Sequence, residues 1–371
     1  MSPAEFMTAD LIRFAFIVGM VLSVYMYEKS HLTTGSIVVP GFLGIHIFDP
    51  WVILITVVNA WVCFSLVHVV LPRFVLMQTR HKFYLLVMLS ALIHLAWRWL
   101  ATMQLEFAFA GDAMMGFGYV IPGLIAHDMS RNGWARTSLN VFIASQIVGG
   151  ILFLSISLLP QLSLNLQEVE LLDFSFDLAF VLALSTLGEI VLKSQTPVRS
   201  GGYVTAAYVV FFGASPLTIV AIIVVAVATY WINVCFLMPT MIVFGRRKFA
   251  IMLIIAAVGM WCCCSIAETL QMNLPILSHP AYAGVVILLP GLIANDMQRT
   301  SFTRVATGLG LLTSWIFAIA SLVYEIRFFS RPDYVIQLVA CCLLILLVVA
   351  TFSNLDRSEV NSHKALPNPN S

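Results

Sequence analysis

The sequence predicts an all-α polytopic membrane protein made of two parallel tandem repeats, and three observations predict it. The first is composition. Hydrophobic residues make up 60% of the chain and charged ones 10%, with a mean hydropathy of +0.97, where a soluble chain carries roughly a quarter charged residues. The second is a decapeptide that occurs twice. Pro122-Gly-Leu-Ile-Ala-His-Asp-Met-Ser-Arg131 returns 168 residues later as Pro290-Gly-Leu-Ile-Ala-Asn-Asp-Met-Gln-Arg299, with eight of ten positions identical. The third is a set of landmarks at nearly the same offset. Asp49-Pro50 matches Ser215-Pro216 and Arg80-His-Lys-Phe83 matches Arg246-Arg-Lys-Phe249 at 166, Pro72 matches Pro239 at 167, and Lys29-Ser30 matches Lys193-Ser194 at 164. Duplication of one unit of ~160 residues leaves this pattern.

The elements follow in order. Long apolar runs cover 10–27, 51–77, 83–101 and 138–159 in the first copy and 176–192, 217–244, 249–267 and 305–325 in the second, with an unpaired run at 334–353. Each is near the ~20 residues that span a hydrocarbon core as a helix. Each copy also holds two short apolar segments rich in Pro, Gly and small residues, 37–48 and 113–126, then 203–214 and 282–294. At ~1.5 Å per residue such segments are too short to cross as simple helices, so they are re-entrant or interrupted.

Loop charges decide between the two. If all four short segments cross, fourteen of sixteen loop cations fall on one face; if all turn back, the split is nine against seven. The positive-inside rule therefore predicts thirteen passages, with the N-terminus outside and both decapeptide ends in the cytoplasm. Six passages per copy, an even number, make the copies parallel rather than inverted.

The expected organisation is a membrane repeat over 1–160, an acidic linker over 161–175, a second membrane repeat over 176–326, an additional transmembrane helix within 327–353 and a disordered cytoplasmic tail over 354–371. Glu5 and Asp10 precede the first apolar run without a basic stretch or a small-residue cleavage site. That end reads as an uncleaved first helix.

Chemistry is expected where the copies agree. A Pro-Gly break at membrane depth has to be buried or line a wet cavity, and transporters use such breaks to aim free backbone groups at ligands. Pro122 and Gly123, like Pro290 and Gly291, lie just ahead of Asp128 and Arg131, and of Asp296 and Arg299. If the stretch after Gly is helical, each Asp and Arg are i, i+3 neighbours, which makes either a local ion pair at a helix end or a clamp for a carboxylate. Arg80 and Lys82, with Arg246, Arg247 and Lys248, form basic cytoplasmic corners suited to lipid headgroups or an acidic partner. His68, His94 and Glu189 lie within or near spans, where ionisable groups are functional candidates, and Glu189 is within a turn of Lys193. Arg98, between Trp97 and Trp99, and Glu268 at similar depth read as interfacial residues.

Several function classes are excluded. A formal net charge of +1 without a basic tract gives no footprint for nucleic acid. There is no P-loop, no G-x-S-x-G and no metal-spaced His/Cys cluster; Cys262, Cys263 and Cys264 are adjacent and point in different directions on a helix. No cofactor, metal or catalytic residue is expected, and any ATP-driven chemistry belongs to a partner.

Tyr27-Glu28-Lys29 leading into Val38-Val-Pro-Gly-Phe-Leu-Gly44, the Gly245-Arg-Arg-Lys-Phe-Ala250 run and Pro290-Gly-Leu-Ile-Ala-Asn295 resemble the PgsC/CapC family of poly-γ-glutamate biosynthesis and capsule membrane subunits. The Val-Pro-Gly element is intact only in the first copy, where the second has Val204-Thr-Ala-Ala207; Gly-Arg-Arg-Lys-Phe is intact only in the second. The chain looks like a tandem-duplicated form. The resemblance implies a non-catalytic subunit, in a bacterial inner membrane, that anchors a cytoplasmic Mur-ligase-like ligase. It would work with other capsule-complex membrane subunits and help pass the anionic polymer outward. The eight decapeptide residues would then form the cytoplasmic mouth for the polymer. Alternatives are a free-standing secondary transporter for a small anion, or a pure membrane scaffold for the ligase.

Overall fold

A computed structural model of the chain describes residues 9–47, 50–73, 79–102, 116–158, 175–196, 198–240, 245–270 and 280–323. The first copy comprises α1 (Ala9–Ser30), α2 (Val39–Ile45), α3 (Pro50–Ser65), α4 (Thr79–Thr102), α5 (Ile121–Asn132) and α6 (Trp134–Leu158). The second comprises α7 (Ser175–Gln195), α8 (Tyr203–Phe211), α9 (Pro216–Ile232), α10 (Gly245–Thr269), α11 (Pro280–Val286), α12 (Leu289–Arg299) and α13 (Phe302–Val323). The described residues contain no strand. The fold is all-α and polytopic, with four long helices and two broken segments in each copy. Most of the linker, the additional helix at 327–353 and the tail lie outside the described residues.

Six of these helices are long and apolar enough to cross a membrane: α1, α3 extended to Val70, α6, α9 extended to Thr240, α10, and α13 through Ile319. Large apolar side chains such as Trp51, Phe142, Phe153, Val224, Trp231 and Phe236 are exposed around the outside, where lipid tails would solvate them. One continuous apolar core, including Phe16, Leu43, Ile121, Tyr208, Phe212 and Ile287, runs through both copies.

The duplication extends to backbone detail. α3 and α9 both end in a π-helical turn, Leu66–Val70 and Asn233–Leu237. Pro72 and Pro239 explain it, because a proline ring collides with the carbonyl four residues back and the helix widens to clear it. Gly35 and Gly201, 166 apart, share a left-handed backbone with φ of 78° and 74°. That register sets Lys193 opposite Tyr27, not Lys29. The offset of 164 therefore does not hold in the structure, and the two Lys-Ser pairs are not counterparts.

Each copy is itself two three-helix units of opposite sense, a level the sequence reading missed. α1, α2 and α3 correspond to α4, α5 and α6: α2 packs on α1 and α6, while α5 packs on α4 and α3. Both short helices begin alike, with Pro40-Gly41 and Pro122-Gly123 in the first turn. A Cβ on Gly41 would lie 2.7 Å from the Phe16 Cα of α1, and one on Gly123 would lie 2.8 Å from the Val87 Cα of α4. The copies then join reciprocally, α1 against α10 and α7 against α4.

α11 and α12 follow one another with only Ile287 and Leu288 between them. Gly284 lies against the Phe16 ring, near the start of α1, and Gly291 against Leu253, near the start of α10. Because α1 and α10 run in opposite senses, the pair extends from one end of the bundle toward the other. The second copy's Pro-Gly segment is thus an interrupted helix.

Candidate functional site

α5 and α12 carry the repeated decapeptide, and each has its proline in the first turn, one residue after the helix begins. Neither Val120 nor Leu288, the residues ahead of them, supplies a side-chain cap. Proline suits this first turn because its missing N–H would have no helical partner there. The glycine that follows lets the neighbouring backbone approach; a Cβ on Gly291 would sit 3.0 Å from the Leu253 Cα.

Beyond the glycine, both helices bury the same stripe. In α5 it is Ile121, Ile125, Asp128 and Met129, and in α12 it is Leu289, Ile293, Asp296 and Met297. Spacing of 4, 7 and 8 residues is one helical face. Arg131 and Arg299 fall off that face and are exposed.

Among the described residues no ion pair closes within either decapeptide; Arg131 acts on Asp128 only at longer range. Arg246 of α10 approaches Asp128 across the seam between copies, Nη2 to Oδ2 3.8 Å, and covers the ring of Tyr27 at 4.8 Å. Thr33 also reaches the Asp128 carboxyl, and the Asn132 amide donates to the Thr33 hydroxyl at 2.6 Å. At the position 166 residues after Thr33 stands Arg199, whose Nη1 donates to Asp296 Oδ1 at 3.3 Å. A buried carboxylate needs such a counter-charge. The two copies supply it from different places.

Of the basic corners, Arg246 is thus largely internal. Arg247 is half exposed and paired with Glu28, and Lys248 is partly buried within electrostatic reach of Arg299. Lys82 is partly buried near the start of α4. Arg80 lies in the first turn of that helix. Phe83 meets His127 edge-on with centroids 4.9 Å apart. The ends of α1, α5, α7 and α12 and the starts of α4 and α10 consequently form one basic end of the bundle. Among the described residues no carboxylate pairs with Arg131 or Arg299.

Two polar groups carry more than their spacing announced. Glu189 is fully buried and paired with Lys193 at 2.7 Å, and Lys193 also donates to Tyr84 of the other copy. At the opposite end, buried Arg13 pairs with Asp10 at 2.7 Å, and Trp261 Nε1 donates to the same Asp10 oxygen at 2.8 Å. An i, i+3 spacing could have found Asp10 and Arg13. Nothing local could have found Trp261. No group of three or more His, Cys, Asp or Glu among the described residues could hold a metal ion. His94, Trp97, Arg98 and Trp99 lie in α4, and Glu268 is exposed near the end of α10.

Comparison with known proteins matches the repeat structure. The family model for capsule biosynthesis CapC fits the chain twice, over residues 18–138 and 184–306. The "PGA biosynthesis protein CapC" of Bacillus subtilis (strain 168) is 31% identical over 153 residues, 41% of this chain and 99% of that protein. The "Capsule biosynthesis protein CapC" of Bacillus anthracis is 26% identical over 153 residues, again 41% of this chain and 98% of its own length. No solved structure matches the chain.

Proposed function

Because the chain belongs to the capsule biosynthesis CapC family, we propose that it is an integral membrane subunit of a complex that makes and exports poly-γ-glutamate. In this reading a cytoplasmic ATP-dependent ligase forms the amide bonds. This chain, in the bacterial cytoplasmic membrane, anchors the ligase and accepts the nascent polyanion at the basic end.

The observation that carries the reading is the division of roles inside each decapeptide. Asp128 and Asp296 turn inward and are occupied by Arg246 and Arg199. Arg131 and Arg299 remain exposed. A polymer with one α-carboxylate per residue is drawn to such cations and can be gripped by their forked donors. Pro122 and Gly123, with Pro290 and Gly291, fix where the two helices begin and how closely they lie against α4 and α10. Of the basic corners, Arg247 and Lys248, with Lys82, are left to serve the ligase or lipid headgroups, Arg246 being held inside by Asp128.

In cells carrying Arg131→Gln with Arg299→Gln, surface polymer should fall about tenfold or more, the loss of one hydrogen bond to a charged group at ~1.5–3 kcal/mol. The protein should remain in the membrane at its normal level. Undiminished polymer overturns this assignment. Affinity purification in mild detergent should recover an amide ligase; recovery of this chain alone, from cells expressing such a ligase, favours a secondary transporter.

A further inference from the structure

α6 packs one face against α1, α2 and α5, burying Val141, Ala144, Ser145, Val148 and Leu152. Its opposite face carries a second pattern. Leu139, Ile143, Gln146, Gly150, Phe153 and Ser157 are all exposed. Their spacing of 4, 3, 4, 3 and 4 residues is that of a coiled-coil seam.

Gln146 is the middle residue of this 25-residue helix, about 18 Å from either end at ~1.5 Å per residue. In a spanning helix that is the depth of the hydrocarbon. Among the described residues of the six apolar spans it is the one exposed Asn or Gln, and none of those residues hydrogen-bonds its amide. Exposed hydroxyls are satisfied within their own helices: Ser157 donates to the Phe153 carbonyl at 2.8 Å and Ser265 to the Trp261 carbonyl at 3.1 Å. Lipid tails offer the Gln146 amide no such partner, and an unsatisfied amide in hydrocarbon is costly.

We propose that this face of α6 is an interface between two copies of the chain, closed by a hydrogen bond between Gln146 and Gln146 of the partner subunit. An amide carries both donor and acceptor, so two identical amides meeting on a twofold axis satisfy each other. That self-complementarity selects a second copy as the occupant. Both chains have one orientation in the membrane, so α6 lies parallel to its twin and the amides meet at equal depth. Gly150, one turn further on, has nothing within 4 Å of where a Cβ would stand, and small residues of this kind let helices approach in a bilayer. One polar residue in an apolar seam fixes register and the number of helices. The face occurs once per chain, because 168 residues on α13 has Ser314 and Ala318 at these positions. One self-complementary face closes a pair rather than a filament, and it sets two basic ends side by side.

The test is energy transfer between donor- and acceptor-labelled full chains in lipid vesicles over a series of lipid dilutions. Transfer should fall with dilution as a monomer–dimer equilibrium requires. Gln146→Leu suits lipid and leaves the buried face of α6 untouched. It is expected to weaken association about three- to thirtyfold, the range of intramembrane polar contacts, and Gln146→Asn should keep most of it. With the native cysteines replaced, Gln146→Cys should form a disulfide-linked dimer on mild oxidation, and Val224→Cys, exposed on α9, should not. Absence of transfer in the original chain, or undiminished association of Gln146→Leu, overturns the proposal. So does a disulfide within one chain when Gln146→Cys is made with Cys341 and Cys342 retained, an outcome that gives the face to the run at 334–353.

Discussion

Arg246 of the second copy lies over the ring of Tyr27 and directs its guanidinium at Asp128 of the first copy, 3.8 Å from Oδ2. That oxygen is buried and has no hydrogen-bond donor among the described residues. The charge balance of one decapeptide is thus supplied by the opposite half of the molecule, and the seam between copies and the site at its end share an ion pair.

Removing that cation should loosen the seam. Arg246→Met leaves the Asp128 carboxylate underpaired and is expected to cost about 1–3 kcal/mol, read as a lower midpoint of thermal unfolding in detergent. Adding Asp128→Asn should recover most of the loss. A double variant no more stable than Arg246→Met would show that the pair is incidental.

The second copy shows how to replace the missing charge. Arg199 holds Asp296 from the position that Thr33 occupies in the first copy. Thr33→Arg combined with Arg246→Met should therefore return stability to near the original, whereas Thr33→Arg alone crowds Arg246 and lowers it. The thermal midpoints of the four proteins, compared as a double-mutant cycle, measure the coupling.

The close helix contacts predict a steric series. Gly123→Ala and Gly291→Ala each push a methyl group toward a neighbouring backbone, at 2.8 Å and 3.0 Å from a Cα, and overpacking of this kind costs about 1–3 kcal/mol. Gly150→Ala, with nothing within 4 Å of the new Cβ, should leave the midpoint unchanged or raise it slightly, alanine being the better helix former. Equal effects at all three positions would mean that the approach of α5 to α4 and of α12 to α10 is not what limits the packing.

Parallel copies predict labelling from one side only. With the seven native cysteines replaced, Arg131→Cys and Arg299→Cys should both react with a membrane-impermeant maleimide in inside-out vesicles and not in intact cells. Labelling of the two from opposite sides would overturn the parallel arrangement.

The helices were legible because transmembrane length and apolarity are local properties, and α1, α6 and α10 sit on their apolar runs. The decapeptides were legible as repeats, and their prolines mark the starts of α5 and α12. The partner of Asp128 was not legible. Spacing offered Arg131, but the buried face of α5 includes Asp128 and Met129 and stops short of Arg131, so the carboxylate turns into the molecule and meets Arg246 from a distant helix. Opposed three-helix units were also hidden: Val39-Pro40-Gly41 and Ile121-Pro122-Gly123 share too few residues to announce a relation that backbone packing shows plainly. Glu189 was visible beside Lys193, while its hydrogen bond from Ser200 was not, because Ser200 lies beyond the end of α7.

Covalent fusion releases the two halves from an obligation that identical subunits share. A homodimer with a twofold axis must present the same side chain on both sides of that axis. Here the cation at each seam comes from the second half: Arg246 covers Tyr27, and Lys193 covers Tyr84. Tyrosines on one half face cations on the other, a complementary arrangement that self-association of a single sequence could not adopt at both seams. One polypeptide thus encodes an obligate heterodimer of fixed stoichiometry, and substitutions in either half can be selected without being imposed on its twin.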